Sequence, residues 1–188
     1  MKPFTLALAA PVLAGLALAA CAASQAQTAD GASATTASAA DAEPLHVRQV
    51  MQQQINPAIL GVWEVGNNAM NEEGGIDPAL MDEAKWTSLN DAATRLAGAA
   101  QAMAAAQVIR AAHPDNTGVA EGEITMAKVQ QLIDADPAGF RQLAAEQAVH
   151  AEQLAAAAAA RDAVKAGPLV AEMDGVCEGC HTRYWYAE

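Results

Sequence analysis

Apolar residues recur at intervals of three and four over most of the chain beyond residue 44, the spacing that places side chains on one face of an α-helix. Pro57 interrupts the first segment, which extends from about Leu45 to Met70, and is expected to kink or restart it, because proline cannot donate a main-chain hydrogen bond. The repeating apolar positions of this predicted helix are Met51, Ile55, Ala58, Val62 and Val65.

A second helix is predicted where the apolar positions are Trp86, Leu89, Ala93, Leu96, Ala100 and Met103. A polar loop over residues 114–123 and a short extra helix at Thr125–Ile133 follow it. The third helix is predicted to begin at Asp136 and Pro137, since aspartate is a favourable N-cap and proline is favourable at the first helical position.

Gly167 and Pro168 indicate the boundary between the third and fourth helices, because glycine commonly ends a helix and proline commonly begins one. Four helices with mostly short connections, and without the alternating pattern typical of strands, predict an all-α antiparallel four-helix bundle. Many core positions are alanine, which buries little apolar area, so this bundle needs apolar bulk from another source.

The first twenty residues have the pattern of a secretory signal peptide. Met1 and Lys2 are followed by the apolar run Phe4–Ala20, which is too short and too rich in alanine to span a membrane convincingly. The run ends in Leu-Ala-Ala-Cys, which resembles a bacterial lipobox whose cysteine, here Cys21, is lipidated. Ordinary signal-peptidase cleavage nearby is the alternative, and it would leave Cys21 free or remove it.

Residues 21–43 are mostly alanine, serine, threonine and glutamine and are predicted to be a disordered tether, with a reach of roughly 25 Å. Residues 44–188 are then one domain. The formal net charge of −12 becomes more negative by one unit when Lys2 is removed. This acidity argues against nucleic-acid binding and leaves the lipid as the contact with the membrane. It favours redox proteins that are basic, or that bind a less acidic face, as partners.

The chemistry of the chain is carried by the sequence Cys177-Glu178-Gly179-Cys180-His181, which is the attachment motif of one covalent haem c. On a helix these three side chains lie on one face, so two thiols can add to the two vinyl groups while the imidazole serves as an axial ligand of the iron. A thioredoxin-like redox pair, a zinc site and a structural disulfide fit the surrounding sequence less well.

The sequence also resembles the cytochrome c′ family. An all-helical exported domain with its haem motif near the C-terminus, an aromatic residue (Tyr184) three residues after the histidine and an Arg48-Gln49 pair in the first helix are usual there. Two features depart from the family pattern. Trp185 stands where the family has an arginine, with Arg183 nearby, and the insertion before the third helix is long. The resemblance implies a haem on the last helix of the bundle and a homodimer as one option.

In that family the sixth ligand of the iron separates two functions. Five-coordinate members bind nitric oxide or carbon monoxide, whereas low-spin relatives carry a first-helix methionine and transfer electrons. Met51 is the candidate ligand here, although it lies three residues after Arg48 and Gln52 lies four after it; a methionine on an apolar face is more often simply part of the core. Arg48 and Arg183 are candidate partners of the haem propionates, with ordinary solvated arginines as the alternative.

The sequence therefore favours an exported, membrane-tethered monohaem electron carrier. A gas-binding cytochrome c′ is the second hypothesis, and a non-haem lipoprotein with a disulfide between Cys177 and Cys180 is the third. No pattern of an enzyme is evident, since the chain carries no nucleophile beside a base and no phosphate-binding loop. Ala22, rather than an aspartate, after Cys21 favours anchoring in the outer membrane on its periplasmic side.

Overall fold

A computed structural model describes residues 42–186 of the chain. The predicted signal peptide, Cys21 and the tether as far as residue 41 lie outside these residues. Within the part of the chain that is described, no helix is both long enough and apolar enough to cross a membrane.

The first helix, α1, is made of three consecutive segments: an α-helical turn at Val47–Val50, a π-helical turn at Met51–Ile55 and an α-helix at Asn56–Ala69. A 3₁₀ turn follows at Pro78–Leu80. The remaining helices are α2 at Glu83–Ala105, α3 at Met126–Ala135, α4 at Pro137–Ala159 and α5 at Ala163–Tyr184.

The four long helices pack as a bundle in which α2 lies against both α1 and α4, and α5 lies mainly against α4. The predicted all-α four-helix bundle is thus confirmed, and the short extra helix is α3. Much of the core is alanine, interspersed with larger side chains such as Leu89, Phe140, Leu154 and Met173.

Side-chain caps explain where four of the helices begin. The carboxylates of Asp82, Asp136 and Asp162 each accept a hydrogen bond from the main-chain N–H three residues further on, at 2.8 to 3.1 Å. The hydroxyl of Thr125 accepts one in the same way at the start of α3, at 3.2 Å. Each cap satisfies a main-chain donor that the first helical turn leaves without a partner.

The predicted boundary at Gly167 and Pro168 is wrong. The preceding helix ends at Ala159, near Arg161 with its left-handed φ of 54°, and α5 begins after Asp162, so both residues lie inside α5. Gly167 serves close packing instead: a Cβ there would lie 2.9 Å from the main-chain N of Ile76. Only glycine leaves room for the main chain around Ile76, which packs against this position. The residues next to Gly167 in the sequence give no sign of this contact.

The π-helical turn of α1 directly precedes Pro57. The N–H of Asn56 bonds to the carbonyl of Met51, five residues back. Pro57 has no N–H to donate, and a regular α-helical path would bring its ring against the carbonyl of the residue four positions earlier. The helix therefore restarts beyond the proline with its register shifted, and this shift affects which side chains of the first two turns face the bundle.

Two short main-chain contacts join distant parts of the chain, although the sequence pattern showed no strands. The two-residue strands β1, Leu45–His46, and β2, Ile109–Arg110, pair in parallel and fix the start of α1 to the segment after α2. Glu123 forms an isolated antiparallel bridge with Tyr186, so the loop before α3 contacts the residues that follow α5.

Candidate haem site

Cys177, Cys180 and His181 occupy the last part of α5 and line one cavity. All three are half-buried, because they share the face that α5 turns toward the bundle. The other walls of the cavity come from α1, α2 and α4, and most of the side chains there are apolar. The three residues of the predicted attachment motif are thus brought together at the inner face of the last helix.

Both thiols are held in the protonated form. Burial raises the pKa of Cys177 to about 11, and the carboxylate of Asp174 acts in the same direction. Burial likewise raises the pKa of Cys180 to about 11, with a smaller contribution from Cys177. The two cysteines are not joined by a disulfide. A reactive redox pair needs a thiolate stabilised by positive charge, so this environment does not fit one. Among the described residues, no group of three or more Cys, His, Asp and Glu side chains is placed to hold a metal ion such as zinc.

The surroundings of His181 favour the neutral form of its imidazole. Burial lowers the pKa of its imidazole, although the carboxylates of Glu178, Glu123 and Asp174 oppose that effect. A neutral ring keeps the lone pair that a metal ligand donates. The ring of Tyr186 packs against it, with 5.1 Å between the ring centroids.

Met51 lines the same cavity as His181, from α1. Gln52, the other residue suggested by counting from Arg48, is exposed, and its side chain accepts a hydrogen bond from Asn116. Met51, the first residue of the π-helical turn, thus lines the cavity of the haem motif. Gln52 lines an adjacent cavity, which also includes Met51 and His181.

Two cavity residues were missed as candidates. Met103, from α2, is buried and brings a second thioether to the cavity; its apolar spacing marked it only as a core residue. Gln147, from α4, is 7% exposed and is the buried polar side chain among the described residues. Its amide Nε2 lies 4.0 Å from Sγ of Cys177, so this amide has at best a weak acceptor there.

Arg48 lines the adjacent cavity, which shares Met51, His181 and Trp185 with the first, and part of its guanidinium has no hydrogen-bond partner. Its Nη1 donates to Oε2 of Glu123 at 3.0 Å, whereas its Nε is buried without a partner, as is Oε1 of Gln49. A buried N–H without an acceptor costs free energy. A haem propionate is an acceptor of the kind that this N–H lacks, so Arg48 is suited to holding one.

Arg183 is not brought to the cavity. Its guanidinium forms an exposed ion pair with Asp136, the N-cap of α4, and lies 5.6 Å from the centre of the Tyr184 ring. His150, the histidine of α4, does not line the cavity, and its Nε2 lies 2.8 Å from the carbonyl oxygen of Leu169.

The chemistry of these residues fits a covalently attached haem: two neutral thiols and a neutral imidazole face an apolar cavity with a thioether and an unsatisfied guanidinium beside it. The volume of the cavity is about 30 Å³, room for about two water molecules. A porphyrin is many times larger, so its insertion requires the surrounding side chains and helices to move apart.

Comparison with known proteins identifies one family. A family model described as Cytochrome C' matches residues 74–185, which is more than half of the chain. No match was found among curated proteins or among solved structures. The matched region contains the haem motif on α5 but neither Arg48 nor Met51, so the roles of these two residues are argued from the geometry of this chain alone.

Proposed function

This chain belongs to the cytochrome c′ family of haem-carrying electron carriers and gas binders, and we propose that it is a monohaem electron carrier in which Met51 is the second axial ligand. The observation that carries the proposal is the presence of Met51 and His181 in the walls of one cavity, on helices α1 and α5. An imidazole and a thioether together complete the coordination of the iron and favour its reduced form.

The side chains of the cavity have distinct roles in this proposal. Cys177 and Cys180 hold the cofactor through two thioether bonds, and His181 supplies the imidazole. Arg48 offers its unpartnered N–H to a propionate. The apolar wall keeps water away from these groups. When bound, the haem supplies the one-electron chemistry of its iron.

An optical spectrum tests the proposal. The oxidised protein, made in a periplasm that attaches haem, should be low-spin and show the weak sulfur-to-iron band in the far red. After reduction, the protein should bind carbon monoxide slowly, because the gas must displace the thioether from the ferrous iron. Replacing Met51 with alanine should remove the far-red band and produce a high-spin haem that binds the gas rapidly. A wild-type protein that is already high-spin and reacts rapidly with the gas would contradict the proposal.

Gas binding is the second candidate, and Val47 is the observation that favours it. Val47 lies one turn before Met51, is buried, and lines the same cavity. A bulky aliphatic group on that side of an iron leaves it five-coordinate and admits only small diatomic ligands. In that case the high-spin spectrum described above would belong to the wild-type protein, and replacing Met51 would change it little.

We also propose that the protein is an exported lipoprotein that is held at the outer membrane through Cys21 and exchanges electrons with basic proteins. The proposal rests on the sequence of residues 1–43 and on the net charge of −12. Mass spectrometry of the mature protein should find diacylglycerol on an N-terminal Cys21. An unmodified N-terminus beyond Cys21 would instead indicate a periplasmic protein without an anchor.

A further inference from the structure

Glu123, in the loop before α3, joins three parts of the chain through its carboxylate. Its Oε1 accepts a hydrogen bond from the indole Nε1 of Trp185 at 2.9 Å, and its Oε2 accepts one from Nη1 of Arg48 at 3.0 Å. The N–H of Ala120 donates to the same Oε2 at 2.7 Å. The side chain is 18% exposed, so these bonds are partly shielded from water.

The main chain of the same loop is also bonded to the end of α5. The N–H of Ile124 donates to the carbonyl of Trp185 at 3.1 Å, and Glu123 pairs with Tyr186 in an antiparallel bridge. Because the Tyr186 ring packs on the ring of His181, the position of this loop is coupled to the surroundings of the axial histidine.

Glu123 bonds to Arg48 and places a negative charge in the wall of the adjacent cavity, which also includes His181. Its bond to Nη1 holds the Arg48 guanidinium with the unpartnered Nε still available for a second acceptor. Burial acts to raise the pKa of Glu123, but the hydrogen bonds from Ala120, Trp185 and Arg48 outweigh it and hold that pKa below its ordinary value. The group is therefore ionised at neutral pH, and its negative charge acts on His181 through space.

We propose that Glu123 is a positioning residue of the haem site, which orients Arg48 for a haem propionate and whose negative charge favours the oxidised haem. This inference rests on the proposed attachment of haem at Cys177 and Cys180. The loop that carries Glu123 lies between α2 and α3, so this connection would supply part of the haem environment.

Three variants of the haem-loaded protein test the inference. Glu123→Gln removes the charge but keeps an acceptor, Glu123→Ala removes both, and Glu121→Gln is the matched control, because Glu121 is an exposed carboxylate of the same loop. In Glu123→Gln, the ratio of reduced to oxidised haem at a fixed ambient potential should rise roughly fivefold, as expected for one unit charge acting through a partly screened interior. Glu121→Gln should leave the ratio unchanged.

Hydrogen exchange at the amide of Ile124 gives a second readout that does not depend on the haem. Glu123→Ala should speed this exchange roughly tenfold, because the lost hydrogen bonds of Glu123 no longer hold the loop in place. A tenfold change corresponds to about 1.4 kcal/mol in the free energy of local opening. Glu123→Gln should change it less.

The outcomes separate this inference from the proposed function. If all three variants match the wild type in both readouts, the inference is overturned while haem attachment stands. If exchange changes but the redox ratio of Glu123→Gln does not, Glu123 only holds the loop and the inference is also overturned. If the wild-type protein carries no haem, the proposed function fails; faster exchange in Glu123→Ala would then support the contact with α5 but not a role in the haem site.

Discussion

Met51 and His181 line one cavity, although their helices lie at opposite ends of the described chain. Met51 begins the π-helical turn of α1, and His181 lies in the last turn of α5. Met103 brings a second thioether to the same cavity from α2, so a comparison of the two methionines tests the proposed role of Met51.

Replacing each methionine with leucine should separate a ligand from a core residue. Met51→Leu keeps the apolar volume but removes the sulfur, so the far-red band should disappear. Carbon monoxide should then bind roughly tenfold faster or more, because the thioether no longer competes with the gas for the iron. Each ~1.4 kcal/mol of lost thioether binding makes the iron tenfold more available to the gas. Met103→Leu should leave the spectrum intact and cost less than about 1.5 kcal/mol of stability. The opposite pattern would assign the ligand to Met103.

Covalent attachment should depend on both cysteines of the motif. The double variant Cys177→Ala, Cys180→Ala should give no peroxidase staining on a denaturing gel, because no thioether remains. Each single variant should keep some stain through the other cysteine. Staining that persists in the double variant would show that the haem is attached elsewhere.

The thiols of protein made without haem should be unreactive at neutral pH. With a pKa of about 11, roughly one thiol in a thousand is ionised at pH 8, so alkylation by iodoacetamide should be slow and should accelerate about tenfold per pH unit. Rapid alkylation of the folded protein at pH 8 would contradict this environment.

The same shift predicts a loss of stability in alkali. The folded state favours the protonated thiols, so their contribution to the free energy of unfolding is complete below the ordinary thiol pKa of 9.0. This contribution declines as the pH rises toward 11, by on the order of 2 kcal/mol for each thiol. Urea unfolding at several pH values would measure it. The double cysteine-to-alanine variant is the control, because it should lose less stability over this range.

Gln147 should contribute little to stability through its amide. Its side chain is buried but its amide is poorly bonded, so Gln147→Leu, which replaces it with an apolar group of similar size, should be neutral or stabilising by up to about 1 kcal/mol. The exposed Gln153 on the same helix is the control position. A loss of more than about 2 kcal/mol in Gln147→Leu alone would indicate a bonded amide.

Gly167 and Gly175 should respond oppositely to alanine, although both lie within α5. A Cβ at Gly167 would lie 2.9 Å from the main-chain N of Ile76, so Gly167→Ala should cost about 1–3 kcal/mol. A Cβ at Gly175 would meet no atom within 4 Å, so Gly175→Ala should stabilise the helix by about 0.5–1 kcal/mol. Thermal unfolding measures both, and equal effects would show that packing at Gly167 is not decisive.

The features that depend on neighbouring residues could be predicted from the amino-acid sequence. Helical periodicity predicted the four long helices, and the capping carboxylate of Asp136 marked the start of α4. The spacing of Cys177, Cys180 and His181 put them on one helical face, because that relation needs only the geometry of a single helix.

The features that depend on contacts between distant residues could be seen only in the folded chain. Gly167 and Pro168 carry local signals for a helix boundary, yet the helix continues through them, and the segment around Ile76 packs against Gly167. The π-helical turn that begins at Met51 has no local signal apart from Pro57. Glu123 accepts bonds from Arg48 and Trp185, which are far from it in the sequence. Residues that are distant in the sequence come into contact only when the helices pack together. The local spacing of apolar residues does not show which of them will do so.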